Sequence, residues 1–166
     1  NDYVLVEKPT YSGALSVFKS RRANILEIPI SKGGVDVDKL EKLLMKNDIR
    51  CFYLMSYFQN PSGMSYSLDA KKKILRLAEI YDFFIIEDDY LSELIFDEAI
   101  EYSTFKSLDT NNRVIYIKSF SKIFLPGIRL GYLVAPGKYK ELIENSKFNT
   151  DISTSSIMQR ALELYI

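Results

Sequence analysis

Lys122 follows the apolar run Val114–Ile117 in the stretch SFSKIFLPGIRLGY, with Ser119 and Ser121 just before it and Arg129 seven positions after it. A lysine held near hydroxyls and acids can condense with an aldehyde. Serines and an arginine beside it can take a phosphate, the arginine bidentately. Three other places carry groups of matching use. Asp88 and Asp89 close the run FFIIEDD and Tyr90 follows them. A carboxylate there can keep a pyridine nitrogen protonated and so turn the ring into an electron sink. Asn60 sits in QNPSG, and its amide, like the Tyr90 hydroxyl, can hydrogen-bond a ring oxygen. Tyr11, ending KPTY, can stack on a heterocycle.

Each group taken singly has an ordinary reading. NPSG is a common turn, Tyr11 an aromatic at a core edge, Asp88 and Asp89 helix caps or solvated charges, and Lys122 a surface lysine. Their placement along the chain makes the set more informative than its members. Tyr3–Glu7, Asn24–Ile30, Cys51–Ser56, Phe83–Asp89, Arg113–Ser119 and Arg129–Pro136 read as strands, several of them continuously apolar. Helical spacing marks residues 13–23, 36–47, 68–82, 137–147 and 153–166, with Ser67 as an N-cap. On the helix after Ser67, the expected inner side is Leu68, Ile74, Leu75, Leu77 and Ala78. Strands alternating with helices predict an α/β fold, a mostly parallel sheet covered by helices on both faces. Ligands of such sheets bind beyond the carboxyl ends of the strands, where Tyr11, Asn60, Asp88 and Lys122 all fall. An aldehyde-bearing pyridine with a phosphate, pyridoxal 5'-phosphate (PLP), answers every one of these groups.

Composition narrows the alternatives. The 166 residues contain no histidine, which removes Ser-His-Asp and Cys-His catalysis and most zinc chemistry. Cys51 is the lone cysteine, so no disulfide forms within the chain, and its apolar surroundings predict a core thiol. Lys+Arg and Asp+Glu balance at 22 each, so charge gives no argument for nucleic-acid binding by this segment. No apolar run approaches the roughly 18 residues of a membrane span. A cytoplasmic protein with no membrane partner and no metal is expected.

The motifs VLVEKPTYSGAL, FQNPSG, IIEDDY and SFSKIFLPGIRLGY resemble, in order and approximate spacing, those of fold-type I PLP-dependent enzymes, specifically the class I/II aminotransferases. The resemblance runs over nearly the whole chain. It implies the large, PLP-binding domain of the aspartate-aminotransferase-like fold, and transfer of an amino group between an amino acid and a 2-oxo acid. It implies that Lys122 carries the cofactor as a Schiff base and shuttles a proton. It implies that Asp88 pairs with the pyridine nitrogen, Tyr90 and Asn60 bond the ring hydroxyl oxygen, Tyr11 stacks on the ring, and Ser119 and Arg129 bind the phosphate. Asp89 rivals Asp88, because the doubled acid leaves the register open by one. Strand alternation favours Asp88, opposite Glu87 and on the face of Tyr90. Ser121 is a secondary phosphate candidate, and Lys118 is the rival lysine.

IIEDDYLSEL with YIKSFSKIFLPGIRLGYLVAP is also similar to the aminotransferase-like domain of MocR/GntR-type transcriptional regulators, in which PLP binding senses an amino-acid-like effector. The same motifs resemble the alpha-aminoadipate and kynurenine-type aminotransferases. On this resemblance residues 1–166 are the core of the large domain. The upstream phosphate-loop segment, the C-terminal small domain with its substrate-binding arginine, and any DNA-reading segment lie outside the chain. The resemblance further implies a homodimer for the full-length protein. Arg21, Arg22 and Arg160 match no site position and are expected at the surface.

Overall fold

A computed structural model describes residues 2–96 and 102–166. Its centre is a seven-stranded sheet in the order β3-β2-β1-β4-β5-β6-β7. The strands are β1 (Tyr3–Lys8), β2 (Asn24–Ser31), β3 (Gly34–Val35), β4 (Ile49–Leu54), β5 (Phe84–Asp89), β6 (Val114–Ser119) and β7 (Gly131–Val134). The five from β2 to β6 run parallel, and the edge strands β3 and β7 are antiparallel. The helices are α1 (Ser12–Ser20), α2 (Val37–Leu44), α3 (Leu68–Ile80), α4 (Phe105–Leu108), α5 (Lys140–Thr150) and α6 (Ser156–Tyr165).

Alternation along the strands splits the interior into two layers. On one face Leu5, Phe52, Leu54, Ile85 and Val114 pack against Leu40 of α2, Ile74 and Leu77 of α3 and Phe105 of α4. Each such side chain contributes roughly 1.5–3 kcal/mol by leaving water. On the other face Val4, Val6, Tyr53 and Met55 meet Ala14, Leu15 and Phe18 of α1. Three of the helices start on side-chain caps, Asp36 to the Lys39 amide, Ser67 to the Ala70 amide and Thr104 to the Ser107 amide. A third, smaller cluster joins Ile128 and Leu130 to Leu162 of α6.

Within α3 one expectation is corrected. Leu68 is 37% exposed, whereas Lys71 is buried. Leu68 opens the helix, so its side chain leans past the first turn, away from the sheet. The Lys71 stem instead fills the interior, and its ammonium donates to the Ser103 carbonyl at 2.6 Å and lies 3.8 Å from the centre of the Tyr57 ring. Cys51 is half-buried in the second layer, where burial pushes its thiol up to about 11. Residues 137–139 form a 3-10 turn ahead of α5, and Arg129 lies outside β7. Arg21, Arg22 and Arg160 are exposed. Among the described residues no helix is long and apolar enough to cross a membrane.

The chain order reverses between β1 and β4: from β1 it continues to β2 on one side, and later returns to β4 on the other. Beyond the carboxyl ends of strands at such a reversal the connecting segments diverge and leave a crevice.

Candidate active site

A cleft of about 380 Å³ occupies that crevice. Tyr11, Asn60, Asp88, Tyr90, Lys122 and Arg129 line it, together with Ser119, Ser121, Met55 and Pro126. All seven candidate residues read from the strand ends therefore meet in one place, although 118 positions separate Tyr11 from Arg129 in the sequence.

Pleating separates the two adjacent acids. Asp88 turns to the cleft side and accepts a hydrogen bond from the Tyr53 hydroxyl at 2.6 Å. Burial raises the Asp88 carboxyl above its ordinary range and the Asp89 charge adds to this, while the Tyr53 hydrogen bond opposes it. Asp89 turns to the opposite face and is 2% exposed. There it accepts from the Tyr116 hydroxyl at 2.6 Å, the Tyr102 hydroxyl at 2.9 Å and the Ser92 hydroxyl at 2.6 Å, and pairs with Lys118 at 3.1 Å. Burial pushes Asp89 up, but the hydrogen bonds from Ser92 and Tyr116 and the Lys118 ammonium outweigh it and hold the carboxyl below the usual carboxylate range. Lys118 is buried between Asp89 and Glu93 and faces away from the cleft. Lys122 is exposed in the cleft wall and makes no ion pair among the described residues.

Tyr90 donates its hydroxyl proton to the Phe58 carbonyl at 2.8 Å. Its oxygen keeps lone pairs, and burial, followed by the Asp88 charge, pushes the hydroxyl above the ordinary phenol range, so it stays protonated. Asn60 rides on a turn tied down by Gln59, a residue that carried no functional signal in the sequence. The Gln59 amide donates to the Pro9 carbonyl at 2.6 Å, and its oxygen accepts from the Ser62 amide at 3.0 Å. Gln59 thus clamps the loop after β4 to the loop after β1 and sets Asn60 across from Tyr11. The Tyr11 ring lies over Gly13, where a Cβ would come within 2.5 Å of it.

Arg129 takes a left-handed backbone, φ 51°, after the Pro126–Ile128 turn. Buried Ile128 and Leu130 on either side anchor it to the α6 cluster and leave its side chain exposed on the cleft wall. Its guanidinium is 3.5 Å from the Ser121 hydroxyl, and the Ser121 amide donates to the Ser119 hydroxyl at 3.3 Å. Gly131 permits this return, since a Cβ there would run into the Lys118 carbonyl.

The arrangement offers a free amine, a carboxylate, an amide and a phenol around one cleft, with two hydroxyls close to a guanidinium. The family model for class I and II aminotransferases matches residues 1–163. This chain belongs to that family. Among its aminotransferase relatives is an uncharacterized aminotransferase of Saccharolobus solfataricus, 36% identical over 163 residues that cover 95% of this chain and 40% of that protein. An uncharacterized HTH-type transcriptional regulator of Bacillus subtilis is 35% identical, over 98% of this chain and 36% of its own length. Among solved structures, the Pyrococcus horikoshii kynurenine aminotransferase in complex with PMP superposes with a TM-score of 0.92 at 35% identity, covering 96% of this chain and 40% of that one. The chain thus spans about two fifths of the length of the aminotransferase relatives it matches. The fold is that of the fold-type I, aspartate-aminotransferase-like proteins.

Two residues of the site region carry no signal that the sequence alone makes readable, Tyr53 and Gln59. Tyr53 comes nearer to being readable, since it shares the alternation parity of Met55 just past the end of β4. Register was the missing information: Tyr53 pairs with Ile86, two residues before Asp88.

Proposed function

We propose that this chain is the PLP-binding core of an aminotransferase that moves an amino group between an amino acid and a 2-oxo acid. The convergence of Lys122, Asp88, Asn60, Tyr90, Tyr11, Ser119 and Arg129 on one cleft carries the reading. The donor set fits the cofactor: it has an uncommitted amine, one carboxylate turned inward, and hydroxyls beside a guanidinium at one end. When bound, PLP supplies an aldehyde for covalent attachment and a ring that withdraws electrons from the substrate carbon.

Lys122 Nζ would carry the cofactor covalently and would take and return the substrate proton. Asp88 would pair with the ring nitrogen. Asn60 and Tyr90 would hydrogen-bond the ring hydroxyl oxygen. Tyr11 would cover one ring face and exclude water there. Arg129 and Ser119 would hold the phosphate, with Ser121 beside them. The solved relative bound to PMP supports the cofactor assignment. Likeness to a helix-turn-helix regulator supports a second reading, in which the same site senses an amino-acid-like effector and DNA is reached only through another segment. A cytoplasmic homodimer belongs to the same proposal, the dimer supported by apolar residues exposed on α5 and α6.

Borohydride reduction of the full-length protein with PLP is expected to fix the cofactor on Lys122 and to fail in Lys122→Ala. An adduct on another lysine would refute the assignment. Turnover against a panel of amino acids and 2-oxo acids separates the two readings. Retained PLP without turnover would sink the enzyme.

A further inference from the structure

Asp88 sits in conditions that favour its neutral acid, yet the role proposed for it needs the anion. Among the described residues one side chain opposes that tendency by a hydrogen bond, Tyr53 on the neighbouring strand β4. Its hydroxyl lies 2.6 Å from Asp88 Oδ2, the short range of a phenol donating to a carboxylate. Tyr53 is 4% exposed, and Phe18 of α1 packs edge-on against its ring at 5.8 Å and 70°. A phenylalanine would fill the same apolar layer without a buried hydroxyl that needs a partner.

We propose that Tyr53 is a positioning residue for Asp88: its buried hydroxyl orients the carboxylate and favours its charged form, leaving the second oxygen to hold a ring-nitrogen proton in the cleft. The role toward the ring nitrogen rests on the PLP reading above, and the role toward the carboxylate concerns this chain alone.

The other charged and titratable groups around Asp88 set what this hydrogen bond works against. Asp89 acts on it from the far side of the sheet and as an anion disfavours a further negative charge, while Glu7 of β1, on the same far side, keeps its proton because burial pushes its carboxyl up to about 8. Tyr11 and Tyr90 bring phenol hydroxyls to the same cleft. Lys122 and Arg129 bring positive charge on the cleft wall, both on exposed side chains that water screens. A neutral Asp88 would be a proton donor and could not hold a cationic nitrogen. Tyr53 is itself kept protonated, first by burial and then by the Asp88 charge, so it remains a donor across the working pH range.

The test uses the full-length protein with aspartate labelled by carbon-13 at the side-chain carboxyl and with the cofactor removed. The Asp88 signal is followed with pH in the wild type, Tyr53→Phe and Phe18→Leu. Loss of a hydrogen bond to a charged group raises the expected midpoint in Tyr53→Phe by about one pH unit. Phe18→Leu loosens the ring but keeps the hydroxyl, and leaves the midpoint in place. An unchanged midpoint in Tyr53→Phe overturns the proposal, as does an equal rise in Phe18→Leu. Should Tyr53→Phe not fold, 3-fluorotyrosine at position 53, a stronger donor, is expected to lower the midpoint, and no change there overturns the proposal equally.

A second arm adds PLP labelled with nitrogen-15 in the ring. The nitrogen signal is expected at its protonated position in the wild type and displaced toward the neutral one in Tyr53→Phe, with PLP affinity about tenfold weaker. Identical signals overturn the role toward the ring nitrogen. No PLP binding by the wild type overturns the cofactor reading itself, while the role toward the carboxylate still stands or falls on the carbon-13 midpoints.

Discussion

Between Asp88 and Asp89 one step along β5 exchanges a cleft for an ion-paired interior, and substitutions there should fail differently. Asp88→Asn is expected to keep the covalent cofactor but lower turnover by about 100-fold or more, since a neutral amide cannot stabilise the ring proton. Single-turnover kinetics on the full-length protein check this. Asp89→Asn removes a partner of the buried Lys118 and should cost about 3 kcal/mol or more of stability, read from urea unfolding. The reverse pattern would exchange the two roles. Glu7 makes a pH-dependent prediction. Burial pushes its carboxyl up to about 8, with hydrogen bonds from Tyr66, Gln59 and Met55 opposing. The unfolded chain releases this proton near 4.5. The folded state therefore binds more protons throughout that window, and stability falls as pH rises from about 4.5 to 8. Glu7→Gln should flatten the fall, measured as urea midpoint against pH in both proteins.

At the scale of elements, the cleft depends on how its loops are pinned. Arg129 is held between two buried residues whose apolar cluster, among the described residues, is completed by Leu162 of α6 and by half-buried Phe120 and Phe124. Leu162→Ala is expected to destabilise this corner by about 2 kcal/mol and to weaken PLP binding about tenfold. The Asp88 titration, set on β5 and β4, should not move. Cofactor titration beside the carbon-13 measurement checks both halves, and a shift in Asp88 would show that the corner and the sheet are not separate. Much of this scale is legible in the sequence. The β-branched and aromatic runs mark strands, and Ser67 marks the start of α3. The short β3 and α4 are not legible, because two or four residues carry too little periodicity to rise above a turn. The burial of Lys71 is illegible for another reason. A lysine goes inside only when a particular carbonyl and ring stand ready, and Ser103 and Tyr57 are remote in sequence.

For the molecule as a whole, apolar side chains are spread unevenly. The two layers around β1, β4 and β5 are closed, whereas Leu142 and Phe148 of α5, Ile157 and Leu164 of α6, and all of β7 are exposed. Exposed apolar area of this kind marks surfaces that associate. The 166-residue chain made by itself is expected to bind a hydrophobic dye and self-associate at micromolar concentration, as seen by light scattering. Glutamates in place of Leu142 and Ile157 should reduce both. A monodisperse chain that binds no dye would show these helices to be adequately solvated.

The residues that line the cleft could be named from their order, since Tyr11, Asn60, Asp88, Tyr90, Ser119, Lys122 and Arg129 each follow an apolar run, and parallel strands bring such ends to one edge. Alternation alone also put Asp88 opposite Glu87, because side-chain period is a property of the strand itself. What neighbours each strand is not a local property. The order of the strands, the register that sets Tyr53 beneath Asp88, the clamp of Gln59 on the Pro9 carbonyl and the network that holds Asp89 and Lys118 away from the cleft were decided only when the sheet assembled. Those contacts join residues between 26 and 50 positions apart in most cases, where chain connectivity sets no geometry and packing sets all of it.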